Sequence, residues 1–146
     1  MPRTHPDHDL IALGVRQPWA ELILRGVKTI EVRTVDTRQR GTIYLYASKK
    51  FTDHPAAQAA TEAHSLDLES LPRGMLVGTV DLVATRACEP DDAARACVRR
   101  GDVIGRIGWR LENPHRLPEP LPVRFLPYGV WFYPFRRKRQ DPSAPP

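Results

Sequence analysis

From Asn113 onward this chain has little freedom to be helical. Nine of its fifteen prolines fall at or beyond Pro114. Each proline ring fixes φ, removes a backbone donor and clashes with the preceding helical turn. The stretch "NPHRLPEPLPVRFLP" (113–127) is therefore expected to be an extended, proline-stiffened connector. Upstream, the apolar runs are short. The run 10–15 suits a buried strand. Pro18 then fits a first helical turn, Trp19, Leu22 and Ile23 share one apolar face, and Gly26 fits the position past the helix end, which predicts a helix from Pro18 to Arg25. Strands are expected around 29–33, 41–47, 74–85, 103–113 and 128–135. Helices are expected at 53–65, with Asp53 as N-cap, and at 89–101, closed by Gly101. Short strands bent by glycine, with helices between some of them, predict an α+β chain built on a small mixed β-barrel with peripheral helices.

A length of 146 residues suits one domain with a core of its own. No apolar run approaches a membrane span, and "MPRTHPDHDL" lacks a hydrophobic signal core, so a cytoplasmic location is expected. Residues 1–9 read as a flexible leader, 10–135 as the domain and 136–146 as a disordered basic tail. The net charge of +5 is concentrated in that tail, which holds four cations and one acid, leaving residues 1–135 at only +2. Any anion site must then be local. Cys88 and Cys97 form neither a disulfide framework nor a zinc pattern and read as structural thiols. The histidines, His5, His8, His54, His64 and His115, show no metal-ligand spacing outside the "HPDHD" of the leader. No metal and no cofactor is expected. Trp109, Trp131, Phe132 and Tyr133 are expected to pack the barrel.

The segment "RGVKTIEVRT" (25–34) is unlike the rest. Ile30 and Val32 point to one side of a strand, Thr29, Glu31 and Arg33 to the other. Lys28 reaches Glu31 only if it still belongs to the glycine turn, since strand parity would otherwise send it to the opposite face. A carboxylate between two cations stays ionised and pins both donors, leaving one positive charge in surplus for a phosphate or a carbonyl oxygen. The competing reading is a solvated strand face whose ion pairs contribute little, about 0–1 kcal/mol. Nearby groups favour a ligand. Arg16 is a phosphate-type donor, Gln17 can read a base edge or amide, and Trp19 offers a stacking surface unless it packs the core. Ser48, Lys49 and Lys50 follow the third strand.

The pattern G-x-K-x-x-E-x-R at Gly26, Lys28, Glu31 and Arg33, within "VRQPWAELILRGVKTIEVRT" and followed by "GTIYLYASKK", "LPRGMLVGTVDLV" and "WRLENPHRLPEPLPVR", resembles the ASCH domain, the activating-signal-cointegrator homology family. The likeness spans about residues 10 to 135. It implies a PUA-like fold with a cleft beside the motif, and RNA, single-stranded nucleic acid or a nucleoside or nucleotide as partner, with no membrane. Some small bacterial members of that family are amidohydrolases of N4-acetylcytidine that use a lysine, a threonine and a glutamate. On this chain the lysine falls on Lys28 and the threonine position is occupied by Glu31. The glutamate has no secure counterpart, with Glu89, Asp91 and Asp92 candidates by region only; Thr29 is no simple substitute for the missing threonine.

The expected function is binding of RNA, single-stranded nucleic acid or modified nucleotides. Its binding residues would be Arg16, Gln17, Trp19, Lys28, Glu31, Arg33, Ser48, Lys49 and Lys50. The alternative is a hydrolase in the same cleft, an N4-acetylcytidine-type amidohydrolase or a ribonuclease, with Lys28 as base and Glu31 as its partner. A third class, a protein-interaction module, rests only on the proline-rich stretch.

Overall fold

The computed structural model describes residues 3–137. Its strands are β1 (Ala12–Val15), β2 (Ile30–Arg33), β3 (Gly41–Ala47), β4 (Met75–Ala87), β5 (Ile107–Leu121) and β6 (Trp131–Phe132), and its helices are α1 (Trp19–Leu24), α2 (Ala56–Ala63) and α3 (Asp92–Ala96). All six strands join one sheet in the order β2-β5-β4-β3-β1-β6. The β1–β3 pair is parallel and the other pairs are antiparallel. The sheet curls so that strands far apart in this order meet again. Trp109 of β5 stacks on Trp131 of β6, with ring centres 5.8 Å apart. The Arg33 guanidinium of β2 donates to the Gly14 carbonyl of β1 at 3.1 Å. The result is a mixed, curled half-barrel with few helices, an α+β fold of PUA-like form.

Alternation along β3 shows where the core sits. Ile43, Leu45 and Ala47 pack with Leu13, Leu22, Ile23, Val80 and Trp109 on the side covered by α1. Tyr44 and Tyr46 pack on the opposite side with Leu76, Leu117 and Phe132. A strand buried on both faces loses the apolar–polar alternation, and "TIYLYA" has none. Residues 3–9, expected as a loose leader, lie against this second face. The Tyr44 hydroxyl accepts from the Asp7 amide at 2.7 Å and lies 2.6 Å from His5 Nδ1. The expected basic tail lies outside the described residues, Arg136 and Arg137 excepted. No helix among the described residues is long and apolar enough to cross a membrane.

Three sequence expectations are corrected. The proline-rich stretch is not a free connector along its whole length, because β5 runs through Pro114, Pro118 and Pro120. Pairing between β2 and β5 ends at Ile30↔Arg110, with one further bond from the Leu111 amide to the Thr29 carbonyl. Past Leu111, β5 pairs with β4 alone, and its register with β4 slips between Leu76 and Gly78 and between Thr79 and Asp81, opposite the prolines. An open strand edge and a bulge are the places where a missing N–H is tolerated. Asp53 is not the cap of α2; the Ala56 amide donates instead to His54 Nδ1 at 3.0 Å. The helix expected over 89–101 stops at Ala96, where Cys97 turns left-handed (φ 60°), and a separate 3-10 turn follows at Arg100–Val103. The Asp102 carboxylate starts that turn by accepting from the Arg99 amide at 3.0 Å, a local bond that competes with helix continuation.

Candidate functional site

The chain leaves α1 through Gly26, whose φ of 75° suits glycine, and both Val27 and Lys28 donate their amides to the Leu22 carbonyl. This turn keeps Lys28 out of β2 and aims it at Glu31, as the motif spacing requires. Lys28 is only 3% exposed. Its ammonium donates to the Ala96 carbonyl at 2.6 Å, lies 3.7 Å from Glu31 Oε1 and sits 4.9 Å over the Trp19 ring. The Ala96 carbonyl ends α3 without a helical partner, so the lysine serves as its cap.

Glu31 is 6% exposed, so this side of β2 is not a solvated face. Its Oε2 accepts from Arg33 Nη2 at 2.7 Å and from Arg33 Nε at 3.2 Å. Burial works against its charge, but the Arg33 and Lys28 cations outweigh that effect and hold the carboxyl below its ordinary value. Burial pushes the Lys28 amine down, and Glu31 only partly restores it. Arg33 lies 5.4 Å over the Trp109 ring and, with its side chain 21% exposed, is the solvent-facing member of the trio.

Two adjoining cavities open beside these residues, one of about 310 Å³ and one of about 570 Å³. Trp19, Glu31, Val32, Arg33 and His54 line both and form the wall between them. The smaller adds Lys28, Thr34, Val98, Asp102, Ile104 and Arg106. The larger adds Arg16, Ser48, Lys49 and Lys50, together with Tyr46, Thr52 and the loop at Pro127–Val130. Six cations face two carboxylates across this groove, a net of +4 with His54 neutral. That exceeds the +2 of residues 1–135, so the rest of the domain is net acidic. The positive charge that net composition spreads thinly is thus concentrated locally, along this groove.

Eight of the nine binding residues named from sequence therefore line one groove: Arg16, Trp19, Lys28, Glu31, Arg33, Ser48, Lys49 and Lys50. Gln17 does not join them. It is buried, with Nε2 donating to the Pro72 carbonyl and Oε1 accepting from the Glu21 amide, and it anchors the start of α1. Trp19 packs in the core, as one of its two alternatives has it, and part of it also lines the wall. Thr29, Glu89, Asp91 and Asp92 line neither cavity, and the further carboxylate in the groove is Asp102. Cys88 and Cys97 are free and half-buried. His54, Asp102, Ile104 and Arg106 escaped the sequence reading because each comes from a segment remote from the motif. Only the place of His54 just before the Ala-rich helix offered a signal.

The sequence model of the ASCH domain matches residues 13–100. Human activating signal cointegrator 1 is 36% identical over 81 residues, which is 49% of this chain and 13% of that protein. The mouse protein of the same name is 35% identical over 81 residues, with the same coverage. The chain thus matches only a small part of these relatives. Among solved structures, ASCH from Zymomonas mobilis superposes with a TM-score of 0.56 at 14% identity, covering 87% of this chain and 88% of that one. A mutant of the same protein gives 0.53 at 13% identity, covering 84% and 88%. At such identities the likeness is one of fold.

Proposed function

The chain belongs to the ASCH domain family, and on that premise we propose that its groove binds RNA, single-stranded nucleic acid or a modified nucleotide. The observation that carries this reading is the concentration of charge, a net of +4 on the walls of two adjoining cavities in a domain that otherwise sums to an acid surplus. Among the described residues no carboxylate pairs with Arg16, Lys49 or Lys50, which leaves them free for phosphates. The planar guanidinium of Arg33 is held in place by Glu31 and by its hydrogen bond to Gly14, so a phosphate or base oxygen meets a preordered donor group.

Binding of this kind releases counterions, and log K falls with log salt by roughly 0.7 per phosphate for single strands. A short single-stranded RNA is expected to bind wild type, to weaken as salt rises, and to weaken in Arg33→Ala and Lys28→Met. Affinity no better than that for an uncharged ligand of the same size overturns the reading.

A hydrolase in the same groove is the second reading, and one observation favours it. Lys28 is a buried amine with a depressed pKa beside a carboxylate, the usual setting of a lysine base. Glu31 stands where the family amidohydrolases carry threonine, so their nucleophile is not supplied at this position. Turnover of N4-acetylcytidine or cleavage of RNA, lost in Lys28→Met, supports this reading; both compounds left intact leaves binding alone.

A further inference from the structure

His54 sits in the wall between the two cavities, and three contacts fix its ring. Nδ1 accepts the Ala56 amide at 3.0 Å. The ring meets Trp19 nearly edge-on, at 79° and 6.0 Å between centres. Nε2 lies 3.9 Å from Asp102 Oδ2. An Nδ1 that accepts a hydrogen bond carries no proton, so the neutral ring bears its hydrogen on Nε2. At 3.9 Å that hydrogen is beyond bonding reach of Asp102. The His54 Nε2–H is therefore a donor with no acceptor among the described residues, fixed at the edge of a cavity.

Asp102 complements it. Arg99 donates to Oδ2 from its amide and Nε, at 3.0 and 3.1 Å, and to Oδ1 from Nη2 at 3.3 Å. Acceptor sites on Oδ1 remain open. The Arg99 hydrogen bonds hold this carboxyl below its ordinary value, so it acts as an acceptor only. A fixed donor and a fixed acceptor thus stand side by side in the smaller cavity, flanked by the apolar Trp19, Val98 and Ile104.

We infer that His54 and Asp102 read the pairing edge of a nucleobase, so that the groove selects unpaired bases over duplex. This rests on the proposed nucleic-acid role of the groove. Every pairing edge sets an acceptor beside a donor: the ring nitrogen and exocyclic amine of cytosine or adenine, the carbonyl and ring N–H of guanine or uracil. In a duplex those groups are already used, and only a splayed base can offer them. The base would occupy the smaller cavity, and its backbone would pass Arg16, Lys49 and Lys50 in the larger one.

The test compares a short single-stranded RNA with a duplex of the same strand, in wild type, His54→Asn and His54→Ala. Asparagine keeps an oxygen that can accept the Ala56 amide, but it loses the donor on the far side of the ring. Wild type is expected to prefer the single strand by roughly tenfold. His54→Asn is expected to lose that preference while keeping duplex affinity, salt dependence and thermal stability; His54→Ala also lowers the unfolding midpoint. Equal binding of both RNAs by wild type, or an undiminished preference in His54→Asn, overturns the inference and leaves the groove reading intact. Failure of wild type to bind either RNA overturns both.

Discussion

At the scale of single residues, Glu31 joins two cations that would otherwise repel. Glu31→Gln leaves Lys28 and Arg33 facing each other with no counter-charge, a loss of about 3–5 kcal/mol. Lys28→Met removes an ammonium that its surroundings disfavour, while Glu31 keeps both hydrogen bonds from Arg33. Its cost is the Ala96 carbonyl left without a donor, about 1–3 kcal/mol. Denaturant unfolding checks the order, and a costlier Lys28→Met contradicts it. The acid limb carries the same signature. With the Glu31 carboxyl below its ordinary 4.5 in the fold, its contribution is complete above that value and fades as pH falls through the folded one. Glu31→Gln should flatten that part of the stability profile. The trio was legible because one glycine turn and strand parity bring it together within eight residues. The Ala96 carbonyl, 68 positions from Lys28, was not.

Between elements, Gly78 is the glycine with the least room for a side chain. A Cβ there would strike Leu24 of α1 and the His115 carbonyl of β5, so glycine lets the helix settle onto the sheet and carry Trp19 to the groove. Gly78→Ala is expected to cost roughly 1–3 kcal/mol. Gly101→Ala, with no atom within 4 Å of its Cβ, should stay within about 0.5 kcal/mol of wild type. Equal midpoints for the two variants contradict this packing. Most strands were legible from their apolar runs, and β3 was expected at the bounds it has. The path of β5 was not, because its prolines are tolerated only where the neighbouring strand stops, and one chain segment does not reveal its neighbour. Likewise, the early end of α3 depends on Cys97 and on a bond between Arg99 and Asp102 that composition does not announce.

Across the whole molecule, net charge misleads. The +5 of the chain points to its basic end, whereas folding gathers four net charges in one groove from segments as far apart as Arg16 and Arg106. Only the fold places them together. The most direct test is the salt dependence of single-stranded RNA binding in wild type and in a variant carrying Arg16→Ala, Lys49→Ala and Lys50→Ala. Three lost phosphate contacts should make the log–log slope shallower by roughly 2. An unchanged slope would mean that RNA is held elsewhere, as on the basic residues 136–139, and would contradict the groove as the binding site.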